Sequence, residues 1–164
     1  MKDKNHLPIY GVGPVYGCVI IALTAAAALL GRREPFKKGL IEMLKIPFLI
    51  IGILLIICGI ILWCGAVFRS KIDDGITENK LVTSGVYSLC RNPLYTAFML
   101  ACTGALFISG NVFFLPLFFV YWIFMTVLMK NTEEKWLGKL YGKEYHDYCR
   151  RVNRCIPFPK NNGK

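Results

Sequence analysis

Three polar segments carry the residues whose types and spacing could do chemistry. They are 80–87 (Lys-Leu-Val-Thr-Ser-Gly-Val-Tyr), 91–95 (Arg-Asn-Pro-Leu-Tyr) and 132–134 (Thr-Glu-Glu). Arg91 is a fixed positive charge, and a helix that begins at the Asn-Pro pair would offer free N–H groups to an anion. The acidic pair supplies negative charge for a cation or an amine. Brought together, these segments could hold a zwitterionic ligand.

Each of these residues also has an ordinary explanation. An arginine beside an apolar run, such as Arg91, is more often an interfacial anchor than a catalytic group. Tyr87 and Tyr95 could belong to the aromatic belt of a membrane protein. The acidic pair could simply be solvated acids that favour the start of a helix. Residue type and spacing alone therefore leave the chemistry open.

The cysteines and histidines do not indicate a metal site. The seven cysteines are odd in number and include no C-x-x-C pair. Neither a zinc site nor structural disulfides are therefore expected. Small buried residues of a membrane protein are the simpler interpretation of the cysteines.

Four stretches without a charged residue predict membrane-spanning helices: 10–30, 46–68, 94–110 and 112–129. A helix needs about 20 apolar residues to cross the ~30 Å hydrocarbon layer. The composition agrees, since 55% of the residues are hydrophobic and the mean hydropathy is +0.47. Only the turn-like 109–111 (Ser-Gly-Asn) separates the last two stretches, which predicts a helical hairpin. The predicted fold is an all-α integral membrane protein with about four transmembrane helices, forming one domain over residues 1–164.

The basic residues lie at the ends of the apolar runs. The formal charge of +10 comes from 20 Lys and Arg, and their placement suits membrane orientation and anionic lipid head groups better than nucleic acid. Four crossings put the amino terminus and the segments 69–93 and 130–158 on one side. Most of the basic residues are there, which predicts the cytosolic side. The basic loop 31–45 argues locally against this, so an odd number of crossings stays open.

The two cytosolic segments are predicted to carry interfacial helices. Asn92 suits the N-cap of a helix and Pro93 its first position. Thr132 suits the cap of another helix that has the acidic pair in its first turn. Apolar and aromatic residues recur along one face of this second helix: Leu137, Tyr141, Tyr145 and Tyr148. That face could lie on the membrane or pack over the other segment, and Gly142 is predicted to bend the helix.

Two motifs in a fixed order resemble a known superfamily. The first is 80–87, three intervening residues, and 91–95. The second begins with the acidic pair and continues through Leu137, Tyr141-Gly142, Tyr145, Tyr148, Arg151-Val152 and Ile156-Pro157-Phe158. With a helical hairpin between them, this pattern resembles the isoprenylcysteine carboxyl methyltransferase and phospholipid methyltransferase superfamily of membrane enzymes. It covers residues 79–158, about half of the chain.

The resemblance implies an S-adenosylmethionine-dependent methyltransferase with its active site facing the cytosol. It assigns these residues to the cofactor: Asn79, Lys80, Leu81, Val82, Tyr87, Asn92, Pro93, Leu94, Tyr95 and Glu133. Arg91 and Glu134 are the predicted catalytic residues, with Glu134 the candidate base for an amine acceptor. The acceptor would be a lipidic or prenylated molecule delivered by the bilayer, with no metal and no nucleic acid involved.

Two positions depart from the pattern of the superfamily. Many members have histidine where this chain has Asn92, and asparagine can hydrogen-bond a ligand but cannot titrate. Met129 stands where the isoprenylcysteine enzymes use an arginine for substrate, and Lys130 could replace it. The leading functional prediction is carboxyl O-methylation of the isoprenylcysteine type. The alternatives are N-methylation of a phospholipid head group and an inactive membrane scaffold or transporter subunit.

Overall fold

The computed structural model describes residues 11–69 and 81–156. These residues form five α-helices, listed in chain order: α1 (Gly13–Leu30), α2 (Lys45–Cys64), α3 (Pro93–Ser109), α4 (Leu117–Asn131) and α5 (Glu133–Arg151). Within these two ranges the backbone forms no sheet, only isolated bridges between Leu40 and Asn111 and between Cys90 and Asn153. The predicted all-α class is confirmed.

Most of the helical length is apolar enough to lie in a bilayer. Among the described residues, three stretches are long and apolar enough to cross a membrane: Gly13–Leu30, Glu42–Phe68 and Val112–Asn131. The apolar α3 has 17 residues, which at 1.5 Å per residue gives ~26 Å, slightly less than the hydrocarbon layer. The prediction of about four spanning helices in a membrane protein is therefore confirmed.

Helix α3 packs most extensively against α2, and glycines permit a close backbone approach. A Cβ placed on Gly52 would lie 2.7 Å from the carbonyl oxygen of Gly104, and one placed on Gly59 would lie 2.8 Å from that of Ala97. Small residues allow membrane helices to approach this closely, where packing rather than hydrophobic burial drives association. The glycines thus fix α3 against α2.

On its other side α3 shares a core with α1 and α4. Tyr16 and Ile20 of α1 and Tyr121 and Met125 of α4 are fully buried in this core. The hydroxyl groups of Thr24 and Tyr121 lie 2.8 Å apart, so their polar atoms are satisfied inside the apolar bundle. The contacts hold α1 against α4.

The hairpin between α3 and α4 forms, although its bounds differ from the predicted ones. Gly110 ends α3 in the left-handed conformation with φ of 75°. The second arm becomes α-helical only at Leu117, after a 3-10 turn over Val112–Phe114 and an N-cap at Pro116. The membrane-capable stretch begins at Val112, as predicted, but its α-helical part begins only at Leu117, because a proline favours the first turn of a helix rather than its interior.

At this turn the buried amide of Asn111 joins two loops. Its Nδ2 donates to the carbonyl oxygens of Gly31 and Phe36, each at 3.0 Å, while its Oδ1 accepts from the N–H of Phe113 at 3.0 Å. The α1–α2 loop is thus fastened to the end of the bundle opposite the start of α3.

Helix α2 changes its winding at its end. The predicted span 46–68 is α-helical to Cys64 and then continues as a π-helical turn over Gly65–Arg69. Helix α5 is kinked at Gly142, with φ of 50° and ψ of −120°, which confirms the predicted bend. Its aromatic face packs on the segment that begins at residue 81, since Leu81 contacts the cluster containing Tyr145 and Tyr148.

The two predicted helix caps do not form through their side chains. Asn92 occupies the N-cap position of α3, but its Nδ2 donates to the carbonyl of Arg154 at 3.2 Å. Thr132 precedes α5, but its hydroxyl donates back to the carbonyl of Leu128 at 2.6 Å. In both cases the side chain donates to a carbonyl oxygen outside the helix that it precedes, instead of accepting from a backbone N–H of that helix.

Candidate functional site

The segment before α3 and the segment after α5 run side by side. Cys90 and Asn153 form a parallel bridge. The N–H of Arg91 donates to the carbonyl of Asn153 at 2.8 Å, and the N–H of Asn92 donates to that of Arg154 at 3.1 Å. The start of α3 is therefore joined through the backbone to residues that follow α5. This brings the two predicted motifs together.

Two arginines share the carboxylate of Glu134. Arg154 donates from Nε to Oε1 at 2.6 Å and from Nη2 to Oε2 at 3.0 Å, a bidentate arrangement that is among the stronger ion pairs. Nη1 of Arg91 lies 3.3 Å from Oε1. Burial disfavours the charged carboxylate, but the hydrogen bonds from Arg154 and the charge of Arg91 outweigh it, so the pKa of Glu134 is below its ordinary value of 4.5. The group of three is net cationic at neutral pH.

Arg91 is buried, and its terminal nitrogen has hydrogen-bond partners whereas its Nε has none among the described residues. Its side chain is only 8% exposed, and Nη1 also donates to the hydroxyl of Tyr145 at 3.3 Å and contacts Sγ of Cys149. Its Nε is buried and has no hydrogen-bond partner in the parts of the chain that the structure describes. A buried donor without an acceptor is uncommon in proteins and calls for a partner. The Nε of Arg91 is therefore a candidate donor to an anionic ligand.

The hydrogen bonds to Glu133, the neighbour of Glu134, are concentrated on one of its two carboxylate oxygens. Its Oε1 accepts from the N–H of Val12 at 3.0 Å and from the hydroxyl of Tyr95. Its other oxygen, Oε2, receives no hydrogen bond from residues in the ranges 11–69 and 81–156. The carboxylate is thus fixed through one oxygen, and the second can accept from a ligand.

Tyrosines connect Glu133 with the loop before α3. Tyr87 is buried, and its carbonyl accepts from the hydroxyl of Tyr148 at 2.6 Å. Tyr87 also lies close enough to Tyr95 for an electrostatic interaction, and Tyr95 is bound to Glu133. Burial raises the pKa of Tyr148 above its ordinary value, so its hydroxyl stays protonated and can donate. Tyr87 and Glu133 are therefore parts of one cluster.

The other predicted cofactor residues surround this cluster to different degrees. Leu81, Val82 and Leu94 are half-buried, and Pro93 is fully buried. Asn79 and Lys80 lie outside the described residues. The assignment of these residues to a cofactor stays a prediction.

The buried thiols nearby are poor nucleophiles. Burial raises the pKa of Cys90 to about 11. Burial also raises the pKa of Cys155 above its ordinary value. Because the thiolate and not the thiol is the reactive form, neither cysteine is suited to act as a nucleophile at neutral pH.

Sequence reasoning missed Val12 and Arg154 as members of the site. Val12 takes part through its backbone N–H, so the type of residue at this position gives no indication of the contact. Arg154 lies in the chain that follows α5, twenty residues after Glu134, and no helical spacing predicts that pair. The one available signal was the run Gly-Val-Gly-Pro at 11–14, which leads into the long apolar helix α1 and contains two glycines.

Comparison with known proteins assigns the chain to a family. Residues 47–144 match the family described as phospholipid methyltransferase, which is more than half of the chain. The chain belongs to the phospholipid methyltransferase family. The superfamily resemblance noted in the motifs is confirmed, and membership of a methyltransferase family implies a methyl donor. The matched range includes Arg91, Glu133 and Glu134 but neither Val12 nor Arg154.

Several relatives carry more specific names. A probable protein-S-isoprenylcysteine O-methyltransferase of Oryza sativa subsp. indica is 33% identical over 93 residues, which are 56% of this chain and 47% of that protein. The protein-S-isoprenylcysteine O-methyltransferase of Saccharomyces cerevisiae is 35% identical over 83 residues, 50% of this chain and 34% of that protein. The cobalt-zinc-cadmium resistance protein CzcN of Cupriavidus metallidurans is 28% identical over 139 residues, 85% of this chain and 61% of that protein. No solved structure matches the chain.

The matched regions cover only part of these relatives. The chain spans about half the length of the rice protein that it matches, and about a third of the yeast one. The family is therefore established, whereas the activity, substrate and partners of this chain are matters for proposal.

Proposed function

We propose that the chain transfers the methyl group of S-adenosylmethionine to a carboxylate of a lipidic acceptor, as an O-methyltransferase of the protein-S-isoprenylcysteine type. The observation that carries the proposal concerns two groups beside Glu134. Among the described residues, the buried Nε of Arg91 has no hydrogen-bond acceptor, and Oε2 of Glu133 has no donor. Arg91 can donate to an anion, and Glu133 can accept from a cation or a hydroxyl group.

The chemistry of these groups fits the proposed cofactor. S-adenosylmethionine carries an ammonium, a sulfonium, a carboxylate and ribose hydroxyls, so it needs both acceptors and donors. Oε2 of Glu133 can accept from an ammonium or a hydroxyl group. At the start of α3 the N–H groups of Leu94 and Tyr95 have no intrahelical partner, as in any helix, and can donate to an anion. The residues present are therefore suited to a zwitterionic cofactor.

The protein itself has little bond chemistry to perform. Bound S-adenosylmethionine would supply an electrophilic methyl group, which a carboxylate oxygen takes as the carbon–sulfur bond breaks and its electron pair stays on sulfur. The side chains have only to bind both molecules, align the acceptor oxygen with the methyl carbon, and exclude water. The buried tyrosines Tyr87, Tyr145 and Tyr148 suit the exclusion of water.

The electrostatics favour a carboxylate over an amine as the acceptor. Arg91 and Arg154 around Glu134 leave a net positive charge, which attracts a carboxylate and repels an ammonium. An amine acceptor would first have to lose a proton. Glu134 is the candidate base, but both its oxygens are bound by Arg154 and its lowered pKa makes it a weak base. In this proposal Glu134 instead holds Arg91 in position.

Arg91 also compensates for a departure from the isoprenylcysteine pattern. Met129, which stands where those enzymes have a substrate arginine, is fully buried in the apolar core, and Lys130 beside it is exposed. Arg91 is the cation whose open donor is already inside the site. The acceptor would reach it from the bilayer, with the site on the cytosolic side, where most of the basic residues lie.

Isotope-labelled cofactor tests the proposal. Purified protein should bind S-adenosylmethionine saturably, and Glu133→Ala should weaken binding, whereas Glu144→Ala on the exposed face of α5 should not. Membranes containing the protein should then yield a lipid-soluble product that releases its methyl group in base. A base-stable methylamine would support phospholipid N-methylation instead. Absence of saturable binding would support an inactive scaffold or a transporter subunit.

A further inference from the structure

The start of α1 contacts the one carboxylate that is predicted to bind the cofactor. We infer that Gly11 and Val12 are positioning residues of the cofactor site, which fix Glu133 so that its Oε2 is the oxygen available to the ligand. Both residues lie outside the range 47–144 that matches the family. The inference rests on the proposed function and adds a contribution from the first helix to it.

The contact is made by the backbone and depends on the absence of a side chain. The N–H of Val12 donates to Oε1 of Glu133 at 3.0 Å. Gly11 has φ of 49°, a conformation that residues with a side chain rarely adopt, and a Cβ there would collide with the same Oε1. Only glycine at position 11 permits the Val12 amide to reach the carboxylate in this way.

The same oxygen also accepts from Tyr95, so two donors from different helices meet at one atom. The hydroxyl of Tyr95 comes from the first turn of α3, and the Val12 amide comes from the start of α1. Two donors on Oε1 restrict the rotation of the carboxylate. Oε2 consequently keeps one direction relative to both helices, which preorganises it for a ligand.

Anchoring of α1 does not require this contact. Tyr16 and Ile20 are fully buried against α3 and α4, and Thr24 is hydrogen-bonded to Tyr121. These contacts hold α1 along its length. The bond from Val12 therefore bears on the orientation of Glu133 more than on the position of the helix.

Gly11→Ala tests the inference directly. The added methyl group should displace Glu133 and raise the Kd and the KM for S-adenosylmethionine about tenfold, the usual effect of losing a hydrogen bond to a charged group, with kcat changed little. Two matched glycines serve as controls. Gly110→Ala introduces similar backbone strain at φ of 75° with no close contact, and Gly17→Ala adds a methyl group in α1 where no heavy atom lies within 4 Å. Both should bind the cofactor as wild type does.

A second substitution separates a steric effect on Glu133 from general damage. Glu133→Asp withdraws the carboxylate by one methylene and makes room for the methyl group of Gly11→Ala. The double variant should therefore bind the cofactor no worse than Glu133→Asp alone. Losses that simply multiply in the double variant overturn the inference.

Hydrogen exchange keeps the test decisive where Gly11→Ala does not fold. In wild type the Val12 amide should be protected, and Glu133→Ala should speed its exchange at least about tenfold through loss of its acceptor. Equal exchange in the two proteins overturns the inference. Wild-type binding that Gly11→Ala leaves unchanged also overturns it, while the proposed function stands. Absence of any cofactor binding by wild type removes the proposed function and the inference with it.

Discussion

Arg154 binds Glu134 through two parallel hydrogen bonds, from Nε to Oε1 at 2.6 Å and from Nη2 to Oε2 at 3.0 Å. This pair joins the first turn of α5 to the chain that follows α5, and Arg91 contacts the same carboxylate. The position of Arg91 is thus determined by a residue well beyond its own motif. The two motifs of the sequence depend on each other through this carboxylate.

Arg154→Lys should reduce methyl transfer. A lysine keeps the charge but cannot form two parallel bonds to Glu134, so Glu134 would hold Arg91 less firmly. We expect kcat to fall about tenfold, the effect of losing one charge-assisted hydrogen bond. The rate of product formation at saturating cofactor measures this. Arg151→Lys, an exposed position on α5, should leave kcat unchanged, and an equal loss there would contradict the prediction.

Arg91→Lys should impair the acceptor step more than cofactor binding. The ammonium of lysine lacks the planar edge on which Nε of Arg91 lies, so a carboxylate would be bound less well. The KM for the acceptor should rise about tenfold or more, while the Kd for S-adenosylmethionine stays close to that of wild type. Titration calorimetry and initial rates separate the two quantities. The exposed Arg150→Lys is the matched control. Loss of cofactor binding in Arg91→Lys would instead place Arg91 at the cofactor.

Acid should destabilise the protein through Glu134. Its pKa in the folded chain is below the ordinary value of 4.5, so its contribution to stability is fully present above pH 4.5 and is lost as the pH falls through the folded value. The Tm in detergent should therefore decline below pH 4.5. Glu134→Gln should have a lower Tm at neutral pH, since it leaves two arginines without their counter-charge. Its Tm should also decline less steeply than that of wild type as the pH falls below 4.5. If the Tm of Glu134→Gln declines below pH 4.5 as steeply as that of wild type, Glu134 is not the group that causes the acid destabilisation.

Gly104→Val should destabilise the helix pair α2–α3. A Cβ at position 104 would lie 2.6 Å from the carbonyl oxygen of Gly52, and overpacking of this kind costs about 1–3 kcal/mol. The Tm should fall, and less protein should be recovered from membranes. Gly17→Ala, which has room for its methyl group, should melt as wild type does. Equal Tm values for Gly104→Val and wild type would contradict the prediction, because they would show that α2 and α3 move apart to accommodate the valine without loss of stability.

The fold was predictable because its main determinants are local. Uncharged runs of sufficient length predicted the spanning helices, and 109–111 predicted the turn of the hairpin. The π-helical end of α2 and the late start of α4 were not predicted. Pro116 could have indicated the latter, whereas the change of winding at Gly65 has no distinct pattern in the sequence.

The candidate site was predictable only in part. The proximity of Tyr87 to Glu133 was expected from the paired motifs. The contacts of Glu134 with Arg154 and of Glu133 with Val12 were not, since each depends on how distant segments cross in three dimensions. The expected cap at Asn92 failed for the same reason, because a carbonyl from the chain after α5 supplies the side chain with another partner.

The glycine contacts between α2 and α3 prevent lipid chains from entering the bundle between these two helices. Where Gly52 meets Gly104 and Gly59 meets Ala97, main chain touches main chain, and no hydrocarbon tail can slip between the two helices there. The proposed lipidic acceptor is therefore expected to enter between other helices, and the side of α3 that packs against α1 and α4 is the side on which Glu133 contacts Val12 and Tyr95. A photoreactive acyl probe should label residues on the side of α3 that faces α1 and α4, and should not label the contact between α2 and α3.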